Sequence, residues 1–92
     1  MESDDLDMRR RRCLFRAQHR GTKEMDWLLG RYAQRWLQYA GSAEIALWER
    51  LVLVPDPQLY DWIVNGQTVG EPEFMDVVGD IRVANGLTAL EG

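Results

Sequence analysis

The chain is poor in the residues that carry chemistry, with one histidine, His19, and one cysteine, Cys13, among 92 residues. A metal site needs several imidazole, thiolate or clustered carboxylate ligands, and this pair does not share one helix face, so no metal is expected. A cysteine nucleophile needs a base and an orienting group, and Cys13 with His19 finds no Asn or Asp at a meaningful position. The carboxylate pairs Glu24 with Asp26 and Glu71 with Glu73 lack the pocket that one small core rarely provides. No Gly-x-x-x-x-Gly-Lys-Ser/Thr phosphate loop occurs. No catalytic residue is therefore assigned, and the chain reads as a binding protein rather than an enzyme. One cysteine also excludes an internal disulfide, in keeping with a reducing compartment.

Longer-range features are missing too. No apolar run approaches the roughly 18 to 20 residues needed to cross a bilayer. The N-terminus, Met1-Glu2-Ser3-Asp4-Asp5, is acidic where a secretory signal is basic and then apolar. An intracellular protein without membrane insertion is expected. Repeats, low-complexity tracts and linkers rich in Gly, Ser or Pro are absent, so residues 1–92 are expected to form one domain, with 1–5 disordered and 86–92 a flexible tail.

What is present is apolar and aromatic: 46% hydrophobic residues, with four Trp, three Tyr and two Phe. That much apolar surface can offset the entropy lost on folding, so the domain is expected to fold alone. Charge is unevenly placed. Up to Lys23 there are seven basic and four acidic residues, and from Glu24 onward four basic and eleven acidic. A basic N-terminal element on an acidic body implies an anionic partner at one end, or two different contact surfaces.

Apolar spacing predicts five helices. Asp4 or Asp5 caps a first helix to about His19, with Leu6, Cys13, Leu14 and Ala17 on a narrow stripe and Arg9 to Arg12 and Arg16 around the rest. Thr22 caps a second, whose stripe of Met25, Leu28, Leu29, Tyr32, Ala33, Trp36 and Leu37, with Tyr39 and Ala40 at its end, has one face in a core. Gly30 within it costs about 1 kcal/mol against Ala, which points to a helix crossing closely there. Gly41 ends it and Ser42 caps a third helix, bearing Ile45, Trp48, Leu51 and Val52, that stops at Val54-Pro55. Asp56-Pro57 reads as cap and first helical residue of a short fourth, Gln58 to Val64, closed by Asn65-Gly66. A fifth runs from Pro72 to Ala84 and buries Phe74, Val77, Val78 and Ile81. The fold class is all-α, a compact five-helix bundle in a single domain.

The densest signal lies at the first turn, His19-Arg20-Gly21-Thr22-Lys23-Glu24-Met25-Asp26. A glycine there permits a sharp turn at positive φ, and charges of alternating sign fan out around it. Solvated charges at a plain helix corner explain part of this pattern, since Glu24 and Asp26 suit a helix N-terminus. A docking surface explains the rest. Trp27 falls at the edge of the buried stripe, either as an exposed interface anchor or as a rim residue lying on the first helix.

The run Leu14-Phe15-Arg16, the turn just quoted, Leu28-Leu29-Gly30-Arg31-Tyr32-Ala33, and the later Asp56 with Leu59-Tyr60-Asp61-Trp62 resemble the SdhE family from about Arg11 to Pro72. Its members are small flavinylation and assembly factors of succinate dehydrogenase, in bacteria and in mitochondria. The resemblance implies that this protein binds the flavoprotein subunit of succinate dehydrogenase or of fumarate reductase. It would promote attachment of FAD to a client histidine, the FAD belonging to the client and none being stably bound by the factor. The Arg-Gly-x-x-Glu signature carries over as Arg20, Gly21 and Glu24, a client-facing patch, with Asp26 matching the acidic residue after it. His19 stands where many members have a second basic residue, and Trp27 lies at the edge. The resemblance further implies a monomer in the bacterial cytoplasm or, for a eukaryotic relative, the mitochondrial matrix.

Two alternatives come from other classes. A nucleic-acid or regulatory-protein module would use Arg9 to Arg12 with Arg16 and Arg20, although a pI near 4.9 repels a polyanion elsewhere. A small flavin-binding redox protein would need a pocket and a bound chromophore.

Overall fold

The computed structural model describes residues 2–87. The helical spacing resolves into α1 (Glu2–Gln18), α2 (Lys23–Trp36), α3 (Ser42–Leu51), α4 (Asp56–Ile63) and α5 (Pro72–Ala84), with a 3-10 turn, Leu37–Tyr39, after α2. Among the described residues there is no strand. One core cluster draws on all five helices, from Cys13 and Ala17 of α1 to Val78 and Ile81 of α5. No helix of the described residues is long and apolar enough to cross a membrane.

α2 is the central element, and its inward stripe is Met25, Leu28, Leu29, Ala33 and, one turn on, Leu37. Trp36 and Tyr39, expected on that stripe, are 45% and 74% exposed. The correction has a geometric cause. Ala33 and Leu37 fill the inward positions, and Tyr39, two residues after Leu37, falls on the far side of the helix from it. The close crossing at Gly30 is borne out, since a Cβ there would lie 3.1 Å from Gln18 Cα and 3.2 Å from Ala17 O. α1 and α2 therefore meet almost backbone to backbone.

The helix ends show where local pattern fails. Thr22 caps α2 as expected, its hydroxyl accepting from Met25 N–H at 3.2 Å. α3 starts one residue earlier than expected: Gly41 is its cap, without a side-chain bond, and Ser42 is the first helical residue. In α4, Pro55 takes the cap position and Asp56 becomes the first helical residue, its carboxylate directed elsewhere. α1 begins at Glu2, inside the segment expected to be disordered. Of the expected tail, residues 88–92 lie outside the described residues.

Glycines close α4 and α5, with Gly66 at φ 68° and Gly86 at φ 76°. Behind Gly66 lies Arg82, buried, whose Nη1 donates to Ile63 O at 2.6 Å. This cation satisfies a carbonyl at the end of α4, where the helix dipole favours positive charge. Charge pattern alone gave no sign of it, because an arginine in a last turn is ordinarily solvated.

Candidate functional site

Four residues, His19 to Thr22, connect α1 to α2, and each has an internal reason for its place. His19 stacks on Phe15 at 4.1 Å between ring centroids, with Nδ1 2.8 Å from Phe15 O. As an N–H, that nitrogen satisfies one of the last carbonyls of α1. Arg20 N–H donates to Asp26 Oδ1, so a carboxylate in the first turn of α2 reaches back across the cap. Asp26 is thereby half-buried and tied to the corner.

The Arg20 side chain turns inward. Nε donates to Asp56 Oδ1 at 2.7 Å, Nη1 to Val52 O at 2.5 Å and Nη2 to Val54 O at 2.8 Å. Its side chain is 10% exposed and that of Asp56 22%. One guanidinium thus ties the corner to the chain between α3 and α4, occupying carbonyls that the end of α3 leaves open. Asp56 completes the clasp, because its other oxygen accepts Gly21 N–H at 2.8 Å.

Gly21 was expected at positive φ, yet the only described glycines there are Gly66 and Gly86. The need for glycine is steric instead. A Cβ at Gly21 would lie 3.0 Å from Asp56 Oδ2, the atom to which its N–H is bonded. Any larger side chain must displace the carboxylate that also holds Arg20.

The outer side of the corner is open. Glu24 is exposed and makes no hydrogen bond or ion pair with the described residues. Trp27 is 58% exposed, with Arg31 Cζ 4.2 Å above its ring centroid. With Lys23, Arg31 and Gln34 it borders an open groove of about 300 Å³ that runs past Gly30. Six residues were singled out from the sequence. Four of them, His19, Arg20, Gly21 and Asp26, build the corner, while Glu24 and Trp27 are displayed by it. Asp56 is the residue missed, since an Asp-Pro pair looks locally like a helix cap and its true partners lie 35 and 36 residues away.

The arginine tract divides in the same way. Arg9 grips Glu49 of α3 with two bonds, of 3.1 and 2.6 Å, and this holds the Glu49 carboxyl below its ordinary value. Arg10 donates to Leu37 O at 2.8 Å and Ala40 O at 2.9 Å, covering the end of the 3-10 turn. Arg11, Arg12 and Arg16 are exposed. Cys13 is 2% exposed, and burial raises its thiol despite these neighbouring cations. No group of three or more His, Cys, Asp or Glu able to hold a metal occurs among the described residues.

Comparison with known proteins bears on the same corner. A family model described as the flavinator of succinate dehydrogenase matches residues 11–85. The FAD assembly factor SdhE of Acetobacter pasteurianus is 36% identical over 90% of this chain and 80% of its own length. That of Acinetobacter baylyi is 36% identical over 82% and 84%. The mitochondrial succinate dehydrogenase assembly factor 2 of Scheffersomyces stipitis is 31% identical over 74% of this chain, which spans only 46% of that protein. No solved structure matches.

Proposed function

The chain belongs to the Sdh5 family, the flavinators of succinate dehydrogenase, and on that premise we propose that it binds the flavoprotein subunit of succinate dehydrogenase and promotes covalent attachment of FAD. The observation that carries the proposal is the family match across the whole corner, joined to a corner held rigid from behind. The client surface is the outer side: Glu24 supplies an unpartnered carboxylate, Trp27 an aromatic anchor and Lys23 a cation. Arg20, Gly21, Asp26 and Asp56 are positioning residues, and His19 orders the end of α1. This division revises the simpler picture in which Arg20 itself faces the client.

Joining a flavin methyl carbon to a histidine nitrogen requires loss of a methyl proton and leaves two electrons on the ring. A client active site can supply the groups for both once its domains are correctly arranged. A helper without catalytic residues accelerates this by preferring the competent arrangement, and a tenfold preference shifts that equilibrium by about 1.4 kcal/mol. FAD is read as the client's cargo. The groove of about 680 Å³ between α2, α3 and α5 is rimmed by carboxylates, the wrong sign for a dinucleotide pyrophosphate. Fumarate reductase as a second client, a monomeric free state, and residence in the cytoplasm or matrix complete the reading.

The test is covalent flavin on the succinate dehydrogenase flavoprotein subunit, read by in-gel fluorescence after denaturation. Cells would carry the intact chain, a deletion, Glu24→Gln or Gly21→Arg, with circular dichroism of each purified variant. Loss of fluorescence in the deletion and in folded Glu24→Gln is expected. Unchanged flavinylation in the deletion would overturn the proposal. The arginine-tract alternative predicts dependence on Arg9 to Arg12 instead.

A further inference from the structure

At the far end of α2 from the corner lies a larger groove, of about 680 Å³, between α2, α3 and α5. One wall is a run of rings. Tyr32 lies 5.9 Å from Trp48 and 6.2 Å from Trp36, and Trp36 lies 6.4 Å from Tyr39. α5 supplies the facing apolar surface through Val77 and the exposed Val83. Glu44, Asp76 and Asp80 stand on the rim, exposed, and none forms a salt bridge with the described residues. No basic residue lines the groove. The nearby Arg35 has its Cζ 5.4 Å from the Trp36 ring centroid, which shows the geometry by which these rings receive a cation. Burial and the charges of Asp80 and Glu44 together raise the Tyr32 phenol. The carboxylates therefore act on the aromatic wall and not on solvent alone.

A fold of this size has a structural use for Trp48, which is buried, but none for Trp36, Tyr39 and Val83 in solvent. Rings and aliphatic groups ringed by unpaired negative charge are complementary to apolar side chains interspersed with Lys or Arg. A second copy of the chain is the poorer occupant, because Arg9 and Arg10 of its basic helix are already held by Glu49 and by the carbonyls of Leu37 and Ala40, and the two bodies each carry net charge −4. We propose that this groove is a docking site for a basic amphipathic segment of a partner polypeptide, whose apolar side chains lie on Trp36, Tyr39 and Val83 and whose cations meet Glu44, Asp76 and Asp80.

The experiment is a titration of the full chain with a fluorescein-labelled helical Leu/Lys peptide, read by anisotropy and by amide and indole resonances. The same peptide with Glu for Lys serves as control. Shifts confined to Trp36, Trp48, Leu47 and Val83 are expected. Affinity should fall about tenfold in an Asp76→Asn, Asp80→Asn double variant, through the loss of two exposed charge contacts. Both positions are exposed, so the variant keeps its core. Equal affinity of the variant, or shifts spread over acidic sites elsewhere, would overturn the proposal. Movement of the same resonances with protein concentration alone would also overturn it and assign the groove to a second copy. The titration contains no flavoprotein, so its failure leaves the assembly role standing.

Discussion

Arg20 and Glu24 stand four residues apart at one helix corner, and their surroundings are opposite. The guanidinium is 10% exposed and bonded through all three nitrogens, whereas the carboxylate faces solvent with no partner among the described residues. A short signature thus contains two kinds of necessity. The inner residues fix the shape of the corner, and the outer ones are those proposed to meet a partner. On the proposed reading, losing either should weaken recognition, but only losing the inner set should also cost fold stability.

That contrast is open to direct attack. Arg20→Ala leaves Asp56 and two carbonyls without their cation, and should lower unfolding free energy by about 3 kcal/mol in urea titrations. A loss below about 0.5 kcal/mol would erase the distinction between inner and outer residues. Gly30→Val pushes a side chain into the backbone of α1 and should cost about 2 kcal/mol. Gly79→Ala, where a Cβ meets nothing within 4 Å, should instead gain about 0.5 to 1 kcal/mol. Thermal melts of the two variants check the opposite signs. Glu24→Gln should leave stability within about 0.5 kcal/mol while weakening flavoprotein binding about tenfold, measured by calorimetry.

The smallest effect concerns acid. Glu49, held by Arg9, has a folded value below its unfolded one, so its contribution is present above the unfolded value and is lost as pH falls through the folded value. Urea midpoints of the intact chain and Glu49→Gln should therefore converge between neutral pH and about pH 3. Constant separation would show that Arg9 fastens α1 through its stem rather than its charge.

Much of the fold was legible because the apolar spacing of α2 and α5 is local. Met25, Leu28, Leu29 and Ala33 announce a face, and Gly30 announces a close neighbour, from one stretch of chain. The errors share a cause. Asp56 looks like a cap for Pro57, and only a partner 36 residues away draws it to another role. Gly21 looks like a turn glycine, and only that same carboxylate shows that a Cβ there would be crowded. Trp36 and Tyr39 continue a helical stripe on paper, and only the packed fold shows that Leu37 and Ala40 take the inward positions instead. The arginine tract could not be divided from sequence, because Arg9 and Arg10 differ from Arg11 and Arg12 solely in which way the helix turns.

Cys13 lies on the buried face of α1 at 2% exposure, with its thiol pushed up by burial. Attack on peroxide requires a thiolate that the oxidant can reach, and this residue offers little of either. The chain has no other cysteine. A factor working beside a flavin, whose reduced form yields peroxide when it meets oxygen, thus presents no accessible site for sulfenic acid formation or for a mixed disulfide with its client.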